Sequence, residues 1–264
     1  MILNFSPNPN AHYNSQRQLI RELTENWLSD NGYCPNCGNN QPINKFENNR
    51  PVADFFCSVC HEQFELKSKE GLSTGKKIPD GAYHTMLARI QAEDNPSFFF
   101  LAYQKHDYSV QQLILVPKHF VTPNMIIPRN RTLKGREGYL MCDMNISTLP
   151  ESGKIRLIDK AQPIHPEIVQ KQWQAHLFIR QQHTEKKGWL LAIMRCLDKL
   201  PEQFSLKQIY AFETELQQQF QHNKHIQAKI RQQLQILRDQ NIIEIFYSRA
   251  IQKNCDLVNS TKSP

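Results

Sequence analysis

Two cysteine pairs set the strongest constraint on what this chain can fold into. Cys34-Pro35-Asn36-Cys37-Gly38 and Cys57-Ser58-Val59-Cys60 are Cys-x-x-Cys knuckles with nineteen residues between them. Each such turn points two thiolates at one point, and two turns complete a tetrahedron around Zn²⁺. Gly38 suits the tight turn that ends the first knuckle. Four cysteine ligands leave no open coordination position, so the zinc is expected to be structural. Residues 33–61 therefore read as a zinc ribbon that ties the segment between the pairs to the N-terminal part of the chain. His61, next to Cys60, reads as incidental, and Cys142, Cys196 and Cys255 read as small buried hydrophobes or idle thiols. No apolar run reaches the roughly 20 residues needed to cross a bilayer. The start, Met1 to Pro7, lacks a basic, then apolar secretion signal. A cytoplasmic location without membrane contact is the expectation, and reducing conditions there favour metal over disulfides.

Leu19, Ile20, Leu23, Trp27 and Leu28 recur at helical spacing and predict a helix from about Ser15 to Asp30. Short strands are expected at Pro51–Phe56 and Gln63–Ser68. A Gly/Ser/Pro loop follows from Gly71 to Gly81, with Lys76 and Lys77 in it. A helix at Tyr83–Ala92 and buried strands at Ser97–Tyr103 and Gln111–Val116 come next. Residues Pro117 to Lys160 read as loop-rich, with the basic cluster Arg129, Arg131, Lys134 and Arg136. Near Gln181 the pattern turns helical: Trp189–Leu200, then Leu206–Phe220 behind a Ser205 cap, then Lys224–Gln240, then a strand at Ile242–Phe246. Three helices and a strand are the order of a winged helix-turn-helix. The domain boundary is placed at 182/183. From about Lys253 the chain reads as a polar tail.

The chemistry-bearing pattern lies just after the second knuckle. Asp54 leads into a strand, and Phe64-Glu65-Leu66-Lys67 follows eleven residues later. On a strand, Glu65 and Lys67 share one face while Phe64 and Leu66 share the other. That is the arrangement a one-strand E-x-K metal and phosphate site needs. Asp54, Glu65 and the Leu66 carbonyl would supply hard oxygen ligands for Mg²⁺. Lys67 would orient the attacking water and offset phosphate charge. Taken alone, the spacing favours a solvated strand face; apolar flanks that bury the other face and interleaving with the zinc ribbon turn the reading toward a site.

The formal charge is +7, with +3 in residues 1–180 and +4 in residues 181–264, so the basic excess is denser in the smaller part. Such a balance favours a polyanionic partner. On the third C-terminal helix, Ile226, Ile230, Leu234 and Leu237 form one stripe. Lys224, Ala228, Arg231, Gln232 and Gln235 lie opposite. Arg and Gln read base edges, and a small residue leaves room for a methyl group. The bland alternative is a solvated helix face. For the whole chain the alternatives are a zinc-ribbon and winged-helix regulator without catalysis, or a zinc-stapled interaction module.

The chain resembles the DpnI-type methyl-directed restriction endonucleases. The likeness is carried by Tyr33 to Asn40, Phe46 to Phe55, Phe64 to Lys69, Asp80 to Tyr83, Asn95-Pro96, Phe98 to Leu101, Phe120 to Pro123 and Lys229 to Asp239. It spans roughly residues 15–246. It implies a PD-(D/E)xK core with an inserted four-cysteine ribbon, followed by a winged helix. It implies a monomeric enzyme of the bacterial cytoplasm that cuts both strands of 5′-GATC containing N6-methyladenine, with both domains reading the site. Asp54, Glu65 and Lys67 are then the catalytic set. Two departures stand out. Tyr139 occupies the position where the family has a Trp against the methyl groups, and Tyr247 to Ile251 run into a tail unlike the family's Gly- and Lys/Arg-rich wing.

Overall fold

The computed structural model describes residues 1–7, 13, 15–47, 53–92, 94–130, 139–245 and 250–254. Its contacts divide into two units: residues 1–148 with 154–173, and residues 149–153 with 174–264.

The first unit opens with helix α1 (Gln16–Asn31), which Ser15 caps by accepting a hydrogen bond from the Gln18 amide. Strands β1 (Tyr33–Cys34) and β2 (Gly38–Pro42) form the ribbon hairpin. The main sheet takes β3 (Asn44–Lys45), β4 (Phe55–Phe56), β5 (Gln63–Glu70), β7 (Ser97–Tyr103), β8 (Val110–Val116), β11 (Ile155–Asp159) and β12 (Gln162–Pro163). Its seven strands run in the order β12-β11-β8-β7-β5-β4-β3. Among the described strands only β5 and β7 pair in parallel. Every residue of β7 is buried, which explains its unbroken apolar sequence. The β5–β7 register sets Glu65 beside Phe98 and Lys67 beside Phe100, and those two rings stack 6.1 Å apart. On the other face Phe64 meets Phe99 at 5.2 Å and Trp173 at 6.5 Å. Helix α3 (Pro166–Ala175) supplies that Trp173.

A second sheet, in the order β6-β10-β9, joins β6 (Lys77–Ala82), β10 (Met141–Asn145) and β9 (Ile126–Pro128). Helix α2 (Tyr83–Gln91) follows β6 directly. The loop expected at 71–81 is therefore half strand. Pro79 and Gly81 disguise it, and a proline is tolerated because β6 is an edge strand. The loop-rich reading of 117–160 likewise misses β9, β10 and β11. In β10 the buried residues are Cys142 and Met144, a two-residue alternation too brief to read in sequence.

The second unit contains α4 (Thr184–Asp198), β13 (Gln203–Ser205), α5 (Leu206–Tyr210), α6 (Glu213–Gln219), α7 (Ile226–Asp239), β14 (Ile243–Ile245) and β15 (Ala250–Lys253). The helix expected at 206–220 is broken at Ala211-Phe212 into α5 and α6. Ile226, Ile230, Leu234 and Leu237 are buried, as the stripe requires. Three strands pair in the order β13-β15-β14, and Ile251 at their centre is 1% exposed. The segment Ala250–Lys253 is thus a wing strand, an element the sequence pattern does not announce ahead of the polar tail expected from about Lys253. No helix among the described residues is long and apolar enough to cross a membrane.

Candidate active site and metal centre

The four ribbon cysteines converge. Their Sγ atoms all lie within 4.8 Å of one another, with Cys34–Cys60 at 3.5 Å and Cys37–Cys57 at 3.9 Å. His61 is not in the group; it turns the second knuckle at positive φ, its amide donating to the Cys57 carbonyl. The first knuckle is clasped by α3: the Trp173 indole and the Gln170 amide donate to Asn36 at 3.0 and 3.1 Å. Gly38 sits at φ 95°, where a Cβ would also press on the Gln170 amide at 3.0 Å. Burial lifts the Cys34 thiol well above its ordinary range and the Cys37 thiol to about 11. Four soft donors in a closed tetrad fit Zn²⁺, whose charge would turn such thiols into thiolates.

The carboxylate site forms where β5 leaves the ribbon. Asp54 is locked into the sheet margin by backbone bonds, its amide donating to the Phe64 carbonyl and its own carbonyl accepting from Phe46. Its Oδ2 accepts from the Leu66 amide at 2.8 Å. Burial raises the Asp54 carboxyl above its usual value; the Leu66 bond opposes this and the nearby Glu65 carboxylate adds to it. Such a carboxylate gains from a cation brought to it. Lys67 Nζ lies 2.6 Å from Glu65 Oε1 and 2.7 Å from Asp80 Oδ1. Burial works against the Lys67 charge, but the two carboxylates outweigh it and hold the ammonium above its ordinary value. Asp54, Glu65 and the Leu66 backbone are an oxygen set that fits a hard cation such as Mg²⁺.

Asp80 was not expected in the site. It lies on β6, its side chain 8% exposed, and its Oδ1 also accepts from the Gly81 amide at 2.7 Å. It reaches Lys67 across two sheets, which no local spacing reveals. The same holds for α1. Glu25, 5% exposed, is paired with Arg21 at 2.6 Å and Lys45 at 2.7 Å, and Arg21 Nη2 lies 4.0 Å from Asp54 Oδ1. Two cavities meet at the carboxylates. One, of about 650 Å³, runs between α1 and β5. The other, of about 320 Å³, is lined by Asp80, Thr85, Met86, Arg89 and Tyr139 as well as Asp54 and Glu65.

The remaining expected contacts are spread out. Lys76 and Lys77 are exposed, Lys77 on β6. Arg129 is only a third exposed and is bound to Asp143 on β10, its Nε donating at 3.0 Å. Arg131, Lys134 and Arg136 lie outside the described residues. Tyr139 is half-buried. In the second unit Lys224, Ala228, Arg231, Gln232 and Gln235 are all exposed, and Gln235 bonds its neighbour Asp239 at 3.3 Å.

Comparison with protein families finds a match in each part of the chain. A family model for DpnI, described as the Dam-replacing family, matches residues 1–182. A second, described as the Dam-replacing HTH domain, matches residues 185–253. With the first model covering well over half of its length, the chain belongs to the Dam-replacing family.

Proposed function

We propose that this protein is a methyl-directed, Mg²⁺-dependent endonuclease that cuts both strands of 5′-GATC containing N6-methyladenine. The observation that carries the reading is the half-buried triad Glu65–Lys67–Asp80 beside Asp54, at the meeting point of two cavities. Two carboxylates on one ammonium with a third beside them, partly withdrawn from water, are costly to assemble unless the site serves chemistry. A pure DNA binder gains nothing from acids facing a phosphate.

In this reading Asp54, Glu65 and the Leu66 carbonyl hold Mg²⁺. When bound, the ion supplies Lewis-acid polarisation of the phosphate and lowers the pKa of bound water. Asp54 is kept in place by the Leu66 amide. Lys67 presents its ammonium toward the reacting phosphate and offsets the charge that builds there. Asp80, the second carboxylate on that ammonium, would hold it in place with Glu65 engaged as a metal ligand. The cysteine tetrad holds Zn²⁺ and anchors the start of β5. The nuclease domain is assigned to residues 1–182 and the winged-helix domain to 183–264. The exposed α7 face, Lys76, Lys77 and the cluster from Arg129 to Arg136 contact DNA, and Tyr139 meets a methyl group. The enzyme acts as a monomer in the bacterial cytoplasm.

The test is digestion of one plasmid grown in adenine-methylating and non-methylating hosts, with and without Mg²⁺. Linear fragments are expected only from methylated plasmid with Mg²⁺. Protein that shifts both plasmids but cuts neither would be a zinc-ribbon and winged-helix regulator instead.

A further inference from the structure

The larger cavity opens onto α1, and the cation at its rim is Arg21. This side chain is 62% exposed, yet one end is fixed: its Nε donates to Glu25 at 2.6 Å. Glu25 is buried, and Lys45 binds its other oxygen at 2.7 Å. One carboxylate therefore faces two cations, and Arg21 keeps net positive charge. Its Nη2 stands 4.0 Å from Asp54 Oδ1, beyond hydrogen-bond range. Among the described residues the Nη atoms have no hydrogen-bond partner. The guanidinium is thus a fork with its root anchored and its tips open beside the catalytic carboxylates. That geometry suits a tetrahedral oxyanion. Arg17 and Lys105, both exposed, add two further cations to the same cavity, whose wall also carries Glu70.

We propose that Arg21 binds a backbone phosphate of the cleaved DNA strand, and that the cavity between α1 and β5 is the path of that strand. The inference rests on the nuclease reading above. A phosphate brought to Asp54 and Glu65 comes within reach of Arg21, while Glu25 keeps the fork from collapsing onto Asp54. The Arg21 guanidinium then offsets strand charge that the catalytic acids would otherwise repel.

The experiment is duplex binding by the full-length protein, with Ca²⁺ replacing Mg²⁺, over about 50 to 200 mM salt, a range in which phosphate contacts register strongly. Arg21→Ala is expected to lower the slope of log affinity against log salt by about one, equally on methylated and unmethylated duplex. Arg21→Lys, which keeps the charge, should retain the wild-type slope. A wild-type slope in Arg21→Ala overturns the proposal, even where cleavage falls, because Arg21 would then act only through Asp54. If Arg21→Ala melts early, Arg21→Gln gives the same reading with the side-chain bulk kept. Wild-type protein that binds duplex without cutting it removes the nuclease reading and leaves the slope measurement decisive for the phosphate contact.

Discussion

Two clusters of ionisable side chains lie within a few residues of each other in sequence, and they are built on opposite plans. The cysteine tetrad is closed: four identical donors face one another within 4.8 Å, and α3 seals one knuckle through Asn36. The carboxylate cluster is open: acids and a lysine of opposite charge meet at the junction of two cavities. A closed set of like donors can only hold an ion. An open set of unlike groups can hold an ion and still admit a phosphate and water. The first should fail by unfolding and the second by losing chemistry, and substitutions can separate the two.

The largest effect is expected at Asp54. Asp54→Asn keeps an acceptor for the Leu66 amide but removes the charged metal ligand. Cleavage should fall on the order of 10³-fold, the scale of removing a key electrostatic or acid–base group. Stability should hold or rise. The sign follows from the raised folded-state pKa of Asp54: desolvation makes the charged form less favourable in the fold than in the unfolded chain, so removing that charge does not cost stability. A melt that drops together with activity would mean that the open cluster is structural too.

Cys57→Ser should do the reverse. Zinc content of the purified protein falls, and the melting temperature drops by a loss on the order of 4 kcal/mol, as metal binding and folding are linked. At temperatures where the variant is still folded, kcat stays near wild type because no cysteine touches the substrate. Wild-type protein that purifies without metal, and a variant that melts normally, would together refute the zinc assignment.

How each cluster could be read from the sequence follows from how it is assembled. The cysteines are legible because each pair closes a local turn, and the spacing itself encodes the geometry. Glu65 and Lys67 are legible through strand periodicity, which puts them on one face of β5. Asp80 is not, because it reaches Lys67 from β6 in another sheet, and Pro79 and Gly81 make that edge strand look like a loop. Arg21 and Glu25 sit on a helix whose apolar stripe was plain, but nothing in a helical pattern says which polar residues face a site. In the second unit the α7 stripe was clear over fourteen residues, while β13 and β15, three and four residues long, were too short to carry a period.

A smaller effect is expected at Asp80, and it sharpens the comparison inside the open cluster. Asp80→Asn keeps an oxygen for Lys67 and Gly81 but removes the second charge holding the ammonium. Hydrogen bonds to charged groups contribute about 1.5–3 kcal/mol, so kcat should fall roughly 10- to 100-fold. Affinity for duplex in Ca²⁺ should not change, because Asp80 positions Lys67 and is not placed to bind DNA. Equal losses in kcat and affinity would instead make Asp80 part of the DNA surface.

The smallest effect concerns the methyl group, and it tests whether the open cluster also reads its substrate. Tyr139 is half-buried in the wall of the smaller cavity, which Met86, Ala82, Asp54 and Glu65 also line. Gly81 leaves that wall thin; a Cβ there would come 3.6 Å from the Tyr139 hydroxyl, ordinary contact. The phenol ring and the Met86 side chain offer the apolar surface that a methyl in the major groove can be buried against. One buried methyl contributes about 1 kcal/mol, roughly a fivefold preference. Tyr139→Ala should therefore shrink the ratio of cleavage rates on methylated and unmethylated GATC about fivefold, with little change in binding to unmethylated duplex. Tyr139→Phe, which keeps the ring, should preserve the ratio. If the ratio survives in Tyr139→Ala, the wall of this cavity does not sense the methyl group. Discrimination would then fall to the exposed α7 face around Ala228 and Arg231, and the same two substrates applied to Arg231→Ala would locate it there.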